Sequence, residues 1–128
     1  MSLGASLDEV RSWATTAARA ASDKQGRDTV VLSVGAVLAI TDAFVITSGA
    51  NSRQVRTIAE AVEEAVKRAG GPAPLRLEGL VDASWVLMDY GDFVVHVMAE
   101  EARELYALER LWGDGEVWPW EERRAVEV

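Results

Sequence analysis

Residues 83 to 112 read ASWVLMDYGDFVVHVMAEEARELYALERLW, and this stretch decides the fold of the chain. Two runs rich in β-branched and aromatic residues, Trp85 to Tyr90 and Phe93 to Met98, flank Gly91-Asp92, so the stretch predicts a β-hairpin with a tight turn. The acidic residues that begin at Glu100 predict a helix from Glu100 to Trp112. Its predicted apolar stripe consists of Ala102, Leu105, Leu108, Leu111 and Trp112.

Two more helices are predicted upstream of the hairpin. Ser6 and Glu9 have the spacing of a capping box in front of an amphipathic run, which predicts a helix from Ser6 to Ala21. A second helical repeat follows Asn51 and Ser52, either of which can cap it, and Gly70-Gly71-Pro72 ends it.

Three further segments have the composition of strands: Asp28 to Val34, Ala39 to Thr47, and Leu75 to Leu80. The predicted order is therefore α-β-β-α-β-β-β-α. This order predicts a single α/β (α+β) domain with a mixed sheet of about five strands flanked by helices. The strands before and after the middle helix are candidates for a parallel pair joined by a right-handed crossover.

The chain loses its periodicity after Trp112. The last residues are acidic, with Trp118 and Trp120 among them. We therefore predict a domain over residues 1–112 and a flexible acidic tail over residues 113–128.

Composition limits the classes of function. The 128 residues include no cysteine, which excludes disulfides, thiolate metal sites and cysteine nucleophiles. No signal peptide and no membrane span is visible, so we expect a soluble cytosolic protein. The net charge of −8 repels nucleic acid phosphates and would favour a basic partner, although it also fits a role in solubility alone.

Three carboxylates stand in predicted strands or at their ends: Asp42, Asp89 and Asp92. If they converged, they could hold a divalent metal for phosphoryl transfer, which is the alternative reading of the chain as an enzyme. The favoured interpretation is structural, with Asp92 in the hairpin turn and Asp89 hydrogen-bonded at a strand end. No cofactor is predicted.

The hairpin offers large side chains for an interface. Strand alternation puts two sets on opposite faces, with Trp85, Leu87 and Asp89 on one and Val86, Met88 and Tyr90 on the other. Aromatic residues dominate binding hot spots, and they equally fill cores. A lone strand histidine such as His96 is more often a hydrogen-bonded structural residue than a general base.

Several motifs in order along the chain resemble the ribosomal silencing factor family, the Iojap-like proteins. The resemblance covers approximately Leu7 to Trp112. The matching motifs are Thr41-Asp42-x-Phe44-Val45-Ile46-Thr47-Ser48-Gly49, Asn51-Ser52-Arg53-Gln54-Val55, Trp85 with Asp89 and Gly91-Asp92, Val95-His96-Val97, and Arg103-x-x-Tyr106-x-Leu108-Glu109-x-Leu111-Trp112.

The resemblance implies a fold and a function. It implies a small sheet related to the nucleotidyltransferase core, without recognised catalysis. It also implies a protein that binds the large ribosomal subunit through the ribosomal protein numbered fourteen, on the face that meets the small subunit. Such binding would block joining of the small subunit and reduce translation when nutrients are scarce. Members of this family are commonly homodimers when free.

Two sets of residues follow as candidates. The predicted partner-binding residues are Trp85, Met88, Asp89, Tyr90, Asp92 and His96. The predicted structural motif residues are Asp42, Ser52, Arg53, Tyr106, Glu109 and Trp112. No membrane partner and no direct sequence-specific binding of nucleic acid is expected.

Overall fold

A computed structural model describes residues 5–36, 38, 40–111 and 116–121. The helices are α1 (Leu7–Asp23), α2 (Ser52–Arg68), α3 (Glu100–Tyr106) and α4 (Leu108–Leu111). The strands are β1 (Arg27–Ser33), β2 (Ala43–Gly49), β3 (Arg76–Glu78), β4 (Trp85–Asp89), β5 (Phe93–Ala99) and β6 (Glu116–Val117). The predicted mixed α/β domain is confirmed, with β6 as a sixth strand that the sequence did not reveal.

The strands form one mixed sheet in the order β3-β4-β5-β2-β1-β6. The parallel pair is β2 with β5, and the other neighbours are antiparallel. The prediction that β2 would pair with the strand just after α2 is wrong. That strand, β3, is three exposed residues long and lies at the sheet edge, where its charged Arg76 and Glu78 are tolerated. The more apolar β5 takes the central place.

The main core lies between one face of the sheet and the helices α1 and α2. The helices bury small and β-branched side chains against the sheet, which lets the two layers approach closely. The capping box is confirmed, since the Ser6 hydroxyl accepts from Glu9 N–H and the Glu9 carboxylate accepts from Ser6 N–H. Asn51 rather than Ser52 caps α2, through its side-chain oxygen and Gln54 N–H at 2.9 Å.

The predicted hairpin joins β4 to β5, with Asp89 opposite Val94 and Trp85 opposite Met98. Gly91 has φ of 85°, a conformation that side-chain-bearing residues rarely adopt. The predicted alternation is also confirmed. Val86, Met88 and Tyr90 are buried, whereas Trp85, Leu87 and Asp89 are only partly buried.

The second face of the sheet, opposite α1 and α2, is covered in part by α3 and α4. The prediction of one continuous helix from Glu100 to Trp112 is wrong at Ala107, which has φ 45° and ψ 51° and separates α3 from α4. The break turns Leu108 into the small core of this face. The predicted apolar stripe also fails at Leu105, which is 75% exposed, because the helix buries Arg103 instead.

The described residues of the C-terminal segment pack on the domain. Glu116 and Val117 pair with β1, and Trp118 N–H donates to Val31 C=O at 2.8 Å. Trp118 is 4% exposed and joins the main core, and Trp120 Nε1–H donates to Thr29 C=O at 2.9 Å. Residues 116–121 thus differ from the flexible tail expected there, because two tryptophans find partners on β1. The boundary at residue 112 stays a prediction.

Candidate partner-binding face

An open groove lies on the second face of the sheet, beyond the part that α3 and α4 cover. We call it the sheet groove. It has a volume of about 340 Å³. Its lining residues are Leu38, Ile40, Thr41, Phe44, Leu75, Arg76, Leu87, Asp89, Gly91, Val94 and His96. Most of these side chains are apolar, which is typical of a binding surface rather than of a solvated face.

Trp85 stands beside the groove in a cluster of rings. Its indole Nε1–H donates to His96 Nδ1 at 3.1 Å. The Tyr106 ring lies 4.9 Å from the Trp85 ring, and the Phe44 ring meets the His96 ring edge-on at 4.7 Å. Trp85 is partly buried and Tyr106 is exposed, so the pair leaves aromatic surface open to solvent.

His96 is the polar centre of this cluster. Burial lowers its pKa to about 4, so the ring is neutral at physiological pH. A neutral imidazole that accepts a hydrogen bond at one nitrogen carries its hydrogen on the other. The sequence prediction of direct partner contact stays a prediction, but the described geometry places His96 beneath Trp85 rather than at the surface.

Met88 and Tyr90 were also predicted to contact a partner, which stays a prediction, but the structure places both side chains in the interior. Both are buried on the face that α1 and α2 cover, because strand alternation points them away from Trp85. The Tyr90 ring stacks on Phe93 with 4.6 Å between the ring centres. Burial, with the charge of Glu63 beside it, raises the pKa of Tyr90. These two side chains are part of the main core.

The Asp89 carboxylate has structural partners, and the backbone groups of Asp42 and Asp92 pair with each other. One oxygen of Asp89 accepts from Gly91 N–H at 2.8 Å, and the other lies 3.6 Å from an Arg76 nitrogen. Asp42 N–H donates to Asp92 C=O at 2.8 Å, which ties the start of β2 to the hairpin turn. Over the described ranges, no three His, Asp or Glu residues are placed to hold a metal ion.

The predicted structural motif residues are scattered. Ser52 and Arg53 are exposed in the first turn of α2, Asp42 precedes β2, and Tyr106 ends α3 against Trp85. The side chain of Glu109 and all of Trp112 lie outside the described residues.

Sequence reasoning missed a polar crevice at the carboxyl ends of β2 and β5. Arg103 donates to Ser48 Oγ at 3.0 Å and to Arg27 C=O at 3.2 Å. Arg27 in turn pairs with Glu100 at 2.7 Å. The only signal in the sequence was the match of Arg103 to a family motif, since helical periodicity pointed to Leu105 as the buried residue.

The groove itself was also missed. Strand alternation placed Leu87 on the same face as Trp85, and this pattern indicated one of the side chains that line the groove. Leu38 and Leu75 lie far apart in the sequence, and only the folded chain brings them to one groove.

Within the part of the chain that the structure describes, no helix has the length and apolar character that crossing a membrane requires.

The fold and the open face define a class: a small mixed α/β domain that presents an apolar sheet face bordered by aromatic side chains. The family model of the ribosomal silencing factor during starvation matches residues 7–127. This match includes the C-terminal segment, which the resemblance in the sequence had left out. The chain belongs to the ribosomal silencing factor family, whose role lies with the ribosome, in its assembly or silencing.

Individual relatives support this family assignment. The ribosomal silencing factor of Bacillus subtilis is 38% identical over 98 residues, which cover 77% of this chain and 82% of that protein. That of Halalkalibacterium halodurans is 40% identical over 98 residues, which cover 77% and 83%. A crystal structure of a Chromobacterium violaceum protein superposes with a TM-score of 0.78 at 31% identity, and the match covers 92% of this chain and 96% of that one.

Proposed function

We propose that this chain binds the large ribosomal subunit through the ribosomal protein numbered fourteen and blocks joining of the small subunit. The observation that supports this most is the uncovered part of the second sheet face. Its groove and the neighbouring rings of Trp85 and Tyr106 are apolar and open, as at a site that a protein partner fills.

The exposure of single side chains favours the same face. Ile40 and Leu75 line the groove and are 83% and 72% exposed. Exposure of large apolar side chains to water is unfavourable. A partner that covers them stabilises the complex by roughly 25 cal/mol for each Å² of apolar surface buried. The proposed contact therefore consists of the groove, with Trp85 and Tyr106 at its border and Asp89 and Asp92 at the hairpin end.

Net charge favours a basic protein over bare RNA. A chain of charge −8 is repelled by phosphates and attracted to basic surfaces, and the attraction speeds association. We propose contact with a ribosomal protein for this reason, and action in the cytoplasm where bacterial ribosomes lie.

The proposed mechanism is steric, so it needs affinity and position but no chemistry and no cofactor. The alternative of a metal-dependent nucleotidyltransferase has little support, because both oxygens of Asp89 already face Gly91 and Arg76. We also propose, from the family resemblance, that the free chain forms a homodimer.

The test is sedimentation of the chain with purified large subunits at physiological salt. Trp85→Ala should weaken binding by roughly 2 kcal/mol, about thirtyfold, if Trp85 is an anchor. Val81→Ala is the matched control, since Val81 is 89% exposed on a loop that Arg56 ties to α2, away from the groove.

Circular dichroism and thermal unfolding must show that each variant is folded. A folded Trp85→Ala chain that binds as tightly as the unchanged protein would remove Trp85 from the interface. An unchanged chain that does not sediment with large subunits would contradict the proposed function.

A further inference from the structure

Helix α3 holds Tyr106 against Trp85 but buries very little apolar surface of its own. Arg103 is its one buried side chain, whereas Leu105 and Tyr106 are exposed. Ala102 adds only a small, partly buried methyl group to the core of this face. Seven residues are also too few for a helix to be stable without packing. The position of α3 on the sheet therefore depends strongly on Arg103.

The Arg103 guanidinium is held by two acceptors on the sheet. A buried charge is tolerated only where hydrogen bonds replace the water that it loses. Arg103 Nη1 donates to Ser48 Oγ at 3.0 Å and to Arg27 C=O at 3.2 Å. Ser48 is buried in β2 and Arg27 begins β1, so these charge-assisted bonds fix α3 at one position along two adjacent strands. The ion pair of Arg27 with Glu100 is largely exposed and adds little to this restraint.

The same helix carries the exposed half of the aromatic surface. Tyr106 follows Arg103 by three residues, which is about one helical turn. The Tyr106 ring lies 4.9 Å from the Trp85 ring. Directly after it, Ala107 takes a left-handed conformation and ends α3. A shift of the Arg103 side chain away from its acceptors would therefore move Tyr106 relative to Trp85.

We propose that Arg103 is a positioning residue for the aromatic surface of Trp85 and Tyr106, and that its two hydrogen bonds set the geometry in which this surface meets the partner protein. Arg103 acts without touching the partner, because it is only 8% exposed. This inference rests on the proposed function, since the partner is the ribosomal protein proposed there. It adds that a polar contact beneath α3 controls an apolar contact at the end of α3.

The first part of the test concerns the free chain. Nuclear Overhauser effects between the Tyr106 and Trp85 rings report their contact. We expect these effects in the unchanged chain and in Arg68→Met, and their loss in Arg103→Met. Arg68 is the matched control, because it is exposed on α2 and its replacement changes the net charge equally. A folded Arg103→Met chain that keeps the ring contact would overturn the inference whether or not the chain binds ribosomes.

The second part asks whether Arg103 acts through Tyr106. We expect Arg103→Met and Tyr106→Ala each to bind purified large subunits about tenfold more weakly, and the double variant to bind no more weakly than either. Arg68→Met should bind within about twofold of the unchanged chain. Additive losses, about a hundredfold in the double variant, would give Arg103 an effect independent of Tyr106 and overturn the inference. Unchanged binding by Arg103→Met would also overturn it and leave the proposed function standing.

Ser48→Ala serves if Arg103→Met does not fold. It removes one acceptor and leaves Arg103 its bond to Arg27 C=O, so we expect weaker ring effects and about threefold weaker binding. A Ser48→Ala chain that keeps the full ring contact or the full affinity would overturn the inference. If the unchanged chain does not bind large subunits, the proposed function fails and the role toward the partner fails with it. The ring contact in the free variants still decides whether Arg103 positions Tyr106.

Discussion

At the scale of single residues, the Trp85–His96 hydrogen bond links the side chains of β4 and β5 on the second face of the sheet. It holds an indole at the border of the groove and fixes which nitrogen of His96 carries hydrogen. The sequence showed that both residues lie in one hairpin, since Trp85 and His96 are on adjacent strands. It could not show that they touch, because the diagonal contact depends on the register of the two strands.

His96 makes stability depend on pH. Its folded pKa of about 4 lies below the unfolded value of 6.5, so the unfolded chain takes up the proton first. The contribution is complete above pH 6.5 and is lost as the pH falls toward 4. Between pH 7 and 4.5, urea unfolding should show the unchanged chain losing about 2 kcal/mol more than His96→Gln does. Parallel pH profiles for the two chains would contradict the burial of His96 as a neutral ring.

Met88, Tyr90 and Leu105 show that residue type alone does not tell a buried side chain from an exposed one. Large side chains serve cores and interfaces equally, so composition did not separate Met88 and Tyr90 from Trp85. The alternation pattern did separate them, once the side of the sheet covered by α1 and α2 was known. Leu105 has the helical spacing of an apolar stripe. However, α3 ends at Tyr106 and the chain changes direction at Ala107, so the predicted stripe does not form one continuous face.

At the scale of elements, β6 and the two tryptophans after it close the open edge of β1. Trp118 is buried against the main core, and the Arg11 guanidinium lies 5.0 Å from its ring centre. Arg19 Nε–H donates to Trp120 C=O at 3.2 Å, so α1 holds both ends of this segment. The order of this segment comes from pairing with a strand that is distant in sequence, so its own sequence has no periodicity. For that reason the sequence alone predicted a tail.

Trp118→Ala should lower the free energy of unfolding by about 3–5 kcal/mol, since it removes a large buried side chain. Val117→Ala is the control: Val117 is exposed in the same strand and its truncation should cost no more than about 0.5 kcal/mol. Chemical denaturation of both variants measures the difference. Two variants of equal stability would show that residues 116–121 do not pack on the domain in solution.

At the scale of the whole molecule, the sheet has one face covered by α1 and α2 and a second face that α3 and α4 cover only in part. Element types and the hairpin were predictable, because strong periodicity and turn residues are local signals. The pairing of β2 with β5 and the groove were not, because they depend on contacts between residues distant in sequence. The uncovered part of the second face is the surface on which the proposed role depends.

The most direct measurement follows subunit joining. Purified large subunits are incubated with the chain, small subunits are added, and the fraction of joined ribosomes is read by sedimentation through a gradient. We expect joining to fall as the unchanged chain saturates the large subunits, and Trp85→Ala to need about thirtyfold more protein for the same loss. Full joining on large subunits that carry the chain would contradict the account.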